Sequence, residues 1–400
     1  MRMLSLFSGA GGFDLGMEGD FYCLKESINE NINQDWITEE KGRYVKLAPT
    51  GFNTVFACDI NPHAKRAWTN YFKNKKPNAN EIYHLDSIVD LVKAHRAGAL
   101  VFPKDINLVI GGFPCQDFSV AGKQKGFKST VSHRGKKDES CAPGESRRTL
   151  YQWMKETIAI TQPKAFIAEN VQGLLSIKGA KETIANDFAS AGYLVVPVQS
   201  LYSPDYGVPQ MRRRIFFIGF KKSALTDSAL RALSSPVIDN EYSPYPQKTH
   251  GADLKPYVTC GQVFAGMPEP ENSEDPSQQE LEKTKYYGGN HLGEQELLPN
   301  KVSLTICTKG TTYFRRMSLE HGGSMFAGLE HHLKERRCTV REAALLQTFP
   351  YDYEFILPKD GNHKALCKSP AYALIGNAVP CVLAYNIAQS LKAKWPLYFG

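Results

Sequence analysis

Long apolar runs are missing from this chain of 400 residues: although 42% of it is hydrophobic, no stretch approaches the ~20 residues a membrane-spanning helix needs. The opening, Met1 to Phe13, has only a short apolar stretch before a cluster of glycines, so it does not read as a secretory signal. Cysteine supplies no framework either. The nine cysteines are odd in number, widely spread and without a CxxC pair or a His/Cys spacing typical of zinc, which reads as reduced thiols in a cytoplasmic protein. Two nucleotide signatures are absent as well: there is no GKS or GKT of a P-loop, and the early glycines do not form GxGxxG. What is present, 22% charged residues with ample apolar material, suits a globular protein of one large domain or a large and a smaller one.

A net charge of +7 is modest, and its distribution is more telling. Residues 120–148 hold eight Lys/Arg against three Asp/Glu, a local +5, whereas residues 221–335 hold twelve basic against fifteen acidic, a local −3. A polyanion would be met by one basic segment, not by a uniformly basic surface. Charge alone favours a solvated lysine-rich loop.

Residues 1–220 alternate β-like runs (3–7, 54–58, 106–110, 165–168, 193–197, 214–219) with helical patterns (62–72, 87–95, 150–161, 180–191). That alternation predicts an α/β domain built on a parallel sheet, with ligands at the carboxyl ends of the strands. Residues 221–335 lose the alternation and read as a separate, irregular domain, in which 268–282 is acidic and loop-like. Residues 336–400 regain regular structure, with a helix over 339–348 capped by Thr339 and Glu342 and an amphipathic closing helix over 380–392.

The first strand runs into Phe7-Ser-Gly-Ala-Gly-Gly12, where Gly9, Gly11 and Gly12 allow close approach of a ligand to free backbone amides. A ligand-free turn explains the glycines equally well. The next strand ends in Asp59, suited to ribose hydroxyls, and a third is followed by Asp86; together the three strand ends point to an adenosyl site. After the 106–110 strand comes Gly111-Gly-Phe-Pro-Cys115-Gln116. A lone cysteine is more often a small buried apolar residue. Cys115, however, sits at a strand end with glycines before it and lysines soon after, surroundings that favour thiolate.

The Pro-Cys-Gln segment resembles the catalytic motif of the cytosine-5 DNA methyltransferases. Other blocks follow in that family's order: 7–12, Glu169-Asn-Val, Gln210-Met-Arg-Arg-Arg214, Arg341-Glu-Ala-Ala-Leu-Leu-Gln-Thr-Phe-Pro350 and Ile375-Gly-Asn-Ala-Val-Pro380. The resemblance implies a class I S-adenosylmethionine-dependent methyltransferase fold, with a Rossmann-like, mostly parallel sheet and a smaller irregular target-recognition domain. It divides the chain into a catalytic and cofactor-binding domain (1–220), a target-recognition domain (221–335) and a C-terminal segment returning to the catalytic domain (336–400). It implies Cys115 as nucleophile toward carbon 6 of a flipped-out cytosine, Glu169 as the group that neutralises ring nitrogen 3, and Arg212 and Arg214 as holders of the nucleotide and of the catalytic groups. Period-2 alternation puts Arg212 and Arg214 on one face and turns Arg213 away. Glu169 and Asn170 could otherwise simply begin and cap a new element.

On the cofactor side the resemblance implies Phe7, Gly9, Gly11 and Gly12 under S-adenosylmethionine, Asp59 at the ribose, Asp86 at the adenine, with Leu150 and Asn377 completing the pocket. The product is S-adenosylhomocysteine and no metal is needed, since the sulfonium is already activated. Gln116 and Ser119 would form a closing loop, with Lys123 and Lys125 near phosphates of double-stranded DNA. Thr305, in Leu304-Thr-Ile306, resembles a short recognition-domain element, and Lys309, Arg315 and Arg316 are candidates to face DNA while the acidic 268–282 stretch turns to solvent. A monomer is expected, with a cognate restriction endonuclease as a candidate partner that forms no stable complex. Insertions at 19–50 and 128–146, and Leu85 where glycine is usual, depart from the family pattern. The competing readings are a tRNA cytosine methyltransferase of the same superfamily, a non-catalytic DNA-binding relative, and a nicotinamide oxidoreductase, which leaves the Pro-Cys-Gln segment unexplained. Amino-methylating DNA enzymes would need a (Ser/Asp/Asn)-Pro-Pro-(Tyr/Phe) element, which is absent.

Overall fold

The structure, a computed structural model, describes residues 1–114, 133, 149–282, 297–308, 315–316 (backbone only), 336–361 and 365–400. Eight strands form the central sheet: β1 (Arg2–Leu6), β2 (Asn53–Cys58), β3 (Tyr83–His84), β4 (Leu108–Gly112), β5 (Ala165–Val171), β6 (Tyr193–Val195), β7 (Gln199–Tyr202) and β8 (Arg213–Lys221). Their order is β7-β8-β5-β4-β1-β2-β3, with β6 also on β8. The pairs β1–β2, β1–β4, β2–β3 and β4–β5 are parallel, and β8 runs antiparallel to β5, β6 and β7. β1, β4 and β5 are buried almost throughout, as expected for parallel strands covered on both faces.

One face is covered by α1 (Gly12–Glu18), α2 (Pro62–Phe72) and the closing α9 (Cys381–Phe399). The other is covered by α3 (Ile88–Arg96), α4 (Leu150–Thr161) and α5 (Ala180–Ala189). α1 and α9 touch backbone to backbone: a Cβ on Gly16 would lie 2.3 Å from the Cys381 carbonyl oxygen and 2.4 Å from Ala384 Cβ. The helical stretch Lys368–Phe399 is apolar enough by length and composition to cross a membrane, but 83% of its most apolar window is buried within this fold, as in a core helix.

Residues 19–50 do more than lengthen a link. They form an antiparallel sheet of Tyr22–Leu24, Ile37–Lys41 and Tyr44–Leu47, packed through Phe21 and Trp36 on Tyr385 (ring centroids 6.1 and 5.3 Å). Beyond β8 the chain stays on the sheet domain for a while. Helix α6 (Asp227–Leu233) is tied to α9 through Thr226 N–H, which donates to the Tyr398 carbonyl at 2.9 Å, and Tyr245 Oη donates to the Phe216 carbonyl at 2.8 Å.

The acidic 268–282 stretch departs from expectation. Glu274 is exposed, but Glu269 accepts from Arg336 Nε at 2.7 Å, and Asp275 accepts from Arg341 Nε and also caps the short helix Pro276–Gln279. The reason is long-range: Arg336, just ahead of α7 (Val340–Leu346), and Arg341, in its first turn, need carboxylates where they enter the core. α7 itself begins as predicted, with a reciprocal capping box in which Glu342 N–H donates to Thr339 Oγ1 (3.0 Å) and Thr339 N–H to Glu342 Oε2 (2.9 Å). It is followed by α8 (Lys368–Asn377).

Candidate active site

At the carboxyl end of β1 the backbone turns sharply. Phe7, Gly9 and Gly11 have φ of 55°, 54° and 76°, a left-handed region that glycine enters freely and phenylalanine rarely does. The turn is pinned from several sides: Ser8 N–H donates to the Cys58 carbonyl (3.0 Å), Tyr83 Oη to the Gly9 carbonyl (3.0 Å) and Tyr353 Oη to the Ala10 carbonyl (2.7 Å). A Cβ on Gly11 would lie 2.5 Å from the Trp68 ring and one on Gly12 2.6 Å from the Val379 carbonyl oxygen, so these two glycines are required by packing. A Cβ on Gly9 would meet nothing within 4 Å. That side of the turn is open.

Asp59 stands beside this opening, accepting from the backbone N–H of Gly9 (3.0 Å) and Asn61 (2.9 Å). Burial pushes its pKa up while these backbone donors pull it down, and burial prevails. Asp59 N–H donates to the His84 carbonyl at 3.2 Å, which brings the ends of β2 and β3 together and sets exposed Asp86 two residues beyond. Ile60 and Leu85, each next to one of these acids, are exposed apolar side chains; the sequence singled out Leu85 only as a departure from the family's glycine, and Ile60 not at all. An apolar residue adjoining an acid at a strand end was the available signal. Leu150 is buried at the start of α4, and Asn377 is exposed at the end of α8, one residue before the Ala378–Val379 turn that Gly12 packs against. An open glycine turn, an acid bonded to it and exposed apolar side chains fit an adenosyl group.

The second half of the site lies on β4, β5 and β8. Glu169 is paired in register with Gly112 and with Phe216, inside β5, so it caps nothing. It is only 7% exposed, and Arg214 Nε stands 2.9 Å from its Oε1. Burial raises the Glu169 pKa, the guanidiniums of Arg214 and Arg212 lower it, and the net shift is upward. Gly112 makes room for this carboxyl, since a Cβ there would sit 2.8 Å from Glu169 Oε2. Next to it, Asn170 Nδ2 donates to the Phe113 carbonyl at 3.2 Å and so fixes the chain just ahead of Pro114.

The arginines alternate as expected. Arg213 is exposed and lies over the Tyr202 ring at 4.0 Å, while Arg212 is buried. Arg212 donates through Nη2 to the Gly376 carbonyl (3.0 Å) and through Nη1 to the Ile306 carbonyl (3.5 Å). Thr305 Oγ1 donates to the Met211 carbonyl at 2.5 Å, and Ser303–Leu304 pairs in parallel with Gln210–Met211, which joins the 303–308 segment to the arginine strand. Arg315–Arg316 pairs antiparallel with Arg336–Arg337. Cys115, Gln116, Ser119, Lys123, Lys125, Lys309 and all of the 128–146 insertion but His133 lie outside the described residues, as do the side chains of Arg315 and Arg316. Sequence reasoning missed Gln210 and Gln347, both fully buried and bonded to each other.

A parallel sheet with an open glycine turn at the end of its first strand and acids at the ends of its second and third, extended by an antiparallel β8, is the class I methyltransferase fold. The family model for C-5 cytosine-specific DNA methylase matches residues 1–393, and the chain belongs to that family: it methylates carbon 5 of cytosine in DNA. It is similar to the type II methyltransferase M.BspRI of Lysinibacillus sphaericus, 30% identical over 413 residues that cover 98% of this chain and 81% of that protein. It is also similar to the type II methyltransferase M.NgoPII of Neisseria gonorrhoeae, 28% identical over 410 residues covering 98% and 95%. Among solved structures it resembles the S. pombe Dnmt2 methyltransferase (18% identity, TM-score 0.55, 99% of each chain) and the Entamoeba histolytica methyltransferase EhMeth (15%, 0.56, 99% and 98%). At these identities the likeness is one of fold.

Proposed function

We propose that this methyltransferase uses S-adenosylmethionine as donor and a covalent Cys115 adduct as intermediate, within a type II restriction-modification system. The observation that carries the reading is the buried Glu169–Arg214 pair, with Glu169 paired in register with Gly112, two residues ahead of Pro114-Cys115 in the sequence. Carbon 5 of cytosine is a poor nucleophile. Addition of the Cys115 thiolate to carbon 6 makes the ring an enamine that is nucleophilic at carbon 5. Charge gathers on ring nitrogen 3 during that addition, and a Glu169 whose pKa is raised by burial can hold a proton there. Arg214 keeps the carboxyl pointed, and with Arg212 keeps the rise within bounds. Once carbon 5 carries the methyl group, loss of its proton lets the sulfur–carbon 6 bond break and regenerates the thiolate.

Phe7, Gly9, Gly11 and Gly12 would hold the donor at the glycine turn, Asp59 its ribose, Asp86 its adenine, with Leu150 and Asn377 closing the pocket. When bound, the donor supplies an electrophilic sulfonium methyl and becomes S-adenosylhomocysteine. A stacked base is out of reach of a thiolate, so the cytosine is flipped from double-stranded DNA. Gln116 and Ser119 close over it, Lys123 and Lys125 meet phosphates, and Thr305, Arg315 and Arg316 belong to the surface that reads sequence. The protein acts as a cytoplasmic monomer beside a cognate endonuclease with which it forms no stable complex.

The test is a pool of random-sequence duplexes carrying 5-fluorocytosine, incubated with the protein and S-adenosylmethionine. Fluorine does not leave carbon 5 as a cation, so the protein stays bonded to DNA, and sequencing the captured duplexes reads out the target. Absence of any adduct, or an adduct with Cys115→Ala, refutes the mechanism.

A further inference from the structure

Gln210, Arg212 and Gln347 are 0%, 1% and 0% exposed, and together they do something the proposed chemistry does not call for. Ile306 N–H donates to Gln210 Oε1 at 3.0 Å, and the Ile306 carbonyl accepts from Arg212 at 3.5 Å, so this residue of the 303–308 segment is gripped at both its polar groups. Gln210 Nε2 donates in turn to Gln347 Oε1, and Gln347 Nε2 donates to the Ala378 carbonyl. Arg212 Nη2 reaches the Gly376 carbonyl at 3.0 Å. The amide directions are forced. Ile306 N–H requires an oxygen, which turns the Gln210 nitrogen to the Gln347 oxygen and the Gln347 nitrogen to Ala378; reversing either amide sets like groups against each other.

Packing follows the same path. A Cβ on Gly376 would lie 2.7 Å from the Cys307 carbonyl carbon, and one on Gly12 2.6 Å from the Val379 carbonyl oxygen. The glycine turn, the 376–379 turn and the 303–308 segment are therefore stacked backbone on backbone, with the two glutamines as the polar link.

We propose that Gln210 and Gln347 are positioning residues that make the donor turn and the 303–308 segment respond to each other. The proposal rests on the reading above, in which the glycine turn takes the donor and the 303–308 segment belongs to the DNA-reading surface. A buried network that is only partly satisfied is worse than a complete one. Any arrangement of residues 376–378 that breaks the Ala378 bond therefore also loosens Ile306, and the influence is reciprocal.

The test follows hydrogen exchange of the Ile306 amide in the full chain, with and without S-adenosylhomocysteine, whose binding is measured separately by calorimetry. Saturating S-adenosylhomocysteine slows this amide at least about fivefold in the unaltered protein, the lower end of ordinary coupling between sites. Gln347→Met keeps the volume, removes both bonds, binds S-adenosylhomocysteine comparably and shows no slowing. Gln347→Glu, which donates to Ala378 only when protonated, shows the slowing at low pH and loses it at high pH, an outcome a merely structural role does not produce. Unchanged exchange in a protein that demonstrably binds S-adenosylhomocysteine overturns the proposal, as does slowing that persists in Gln347→Met or is independent of pH in Gln347→Glu. A protein that binds no S-adenosylhomocysteine refutes the donor reading itself, and the proposal with it.

Discussion

Gly112→Ala adds one methyl group directly against the acid of the site. The new Cβ would lie 2.8 Å from Glu169 Oε2, and ordinary contact begins at 3.4 Å, so the carboxyl must recede by about 0.6 Å. It has little freedom to do so, because its other oxygen is held at 2.9 Å by Arg214 Nε. A misplacement of ~1 Å at reacting groups costs roughly a hundredfold in rate, so kcat should fall about tenfold to a hundredfold. Overpacking of this kind destabilises by about 1–3 kcal/mol. The assay is transfer of a labelled methyl group to duplex DNA at saturating donor, with S-adenosylhomocysteine affinity and urea midpoint measured alongside; the affinity should hold. Glu169→Gln decides whether the effect runs through the carboxyl. Adding Gly112→Ala to that variant should lower the rate by much less than it does alone, since both act on one contact. Gly111→Ala is the control: its Cβ meets Leu6 O at 3.1 Å and Met154 at 3.2 Å, so it should cost stability through the core rather than through Glu169. A Gly112→Ala enzyme with unaltered kcat, or equal losses with and without Glu169, refutes the reasoning.

Three further outcomes follow from buried polar groups. The Asp14 carboxyl, bonded by Ser5 Oγ at 3.0 Å, is pushed from 3.8 to about 7 by burial and then by Glu18. The folded protein thus holds this proton more tightly than the unfolded chain, so the contribution is complete below pH about 4 and lost as pH rises to about 7, at ~1.4 kcal/mol per unit. Asp14→Asn should remove that slope from urea stability measured across this window, and parallel profiles would contradict it. Arg336→Met leaves Glu342, which is 0% exposed, without the guanidinium at 2.8 Å, and should cost about 3–5 kcal/mol, read as a lowered urea midpoint. Thr339→Ala removes the cap of α7 and the bond to Gln278 Oε1 at 2.7 Å; a loss of about 1–2 kcal/mol in the same measurement is expected.

The sheet domain was legible because its strands and helices carry local signals. Pro62–Phe72 and Leu150–Thr161 were read at both ends, the strand ends differed by no more than a few residues, and the Thr339/Glu342 capping box declared α7. Period 2 was enough to separate Arg213 from Arg212 and Arg214. Illegible features depended on partners far along the chain. Glu269 and Asp275 read as solvent charges because nothing near them announces Arg336 and Arg341. Likewise, Gln210 and Gln347 look like ordinary polar residues until the fold buries them face to face. The 19–50 insertion became a sheet through contacts with Tyr385 that no window of that length contains. Cys115, the most informative residue in the sequence, lies outside the described part of the structure.

The backbone contact between α1 and α9 has a consequence for the order in which the protein comes into being. Gly16 lies more than 360 residues ahead of Cys381 and Ala384 in the chain, yet neither helix has its partner without the other. At about 5–20 residues per second a ribosome needs roughly twenty seconds to over a minute to span that interval. Throughout it the helix carrying the glycine turn has no floor to rest on. In a nascent chain the glycine turn therefore lacks this support until α9 has been made, and methylating capacity waits on that helix.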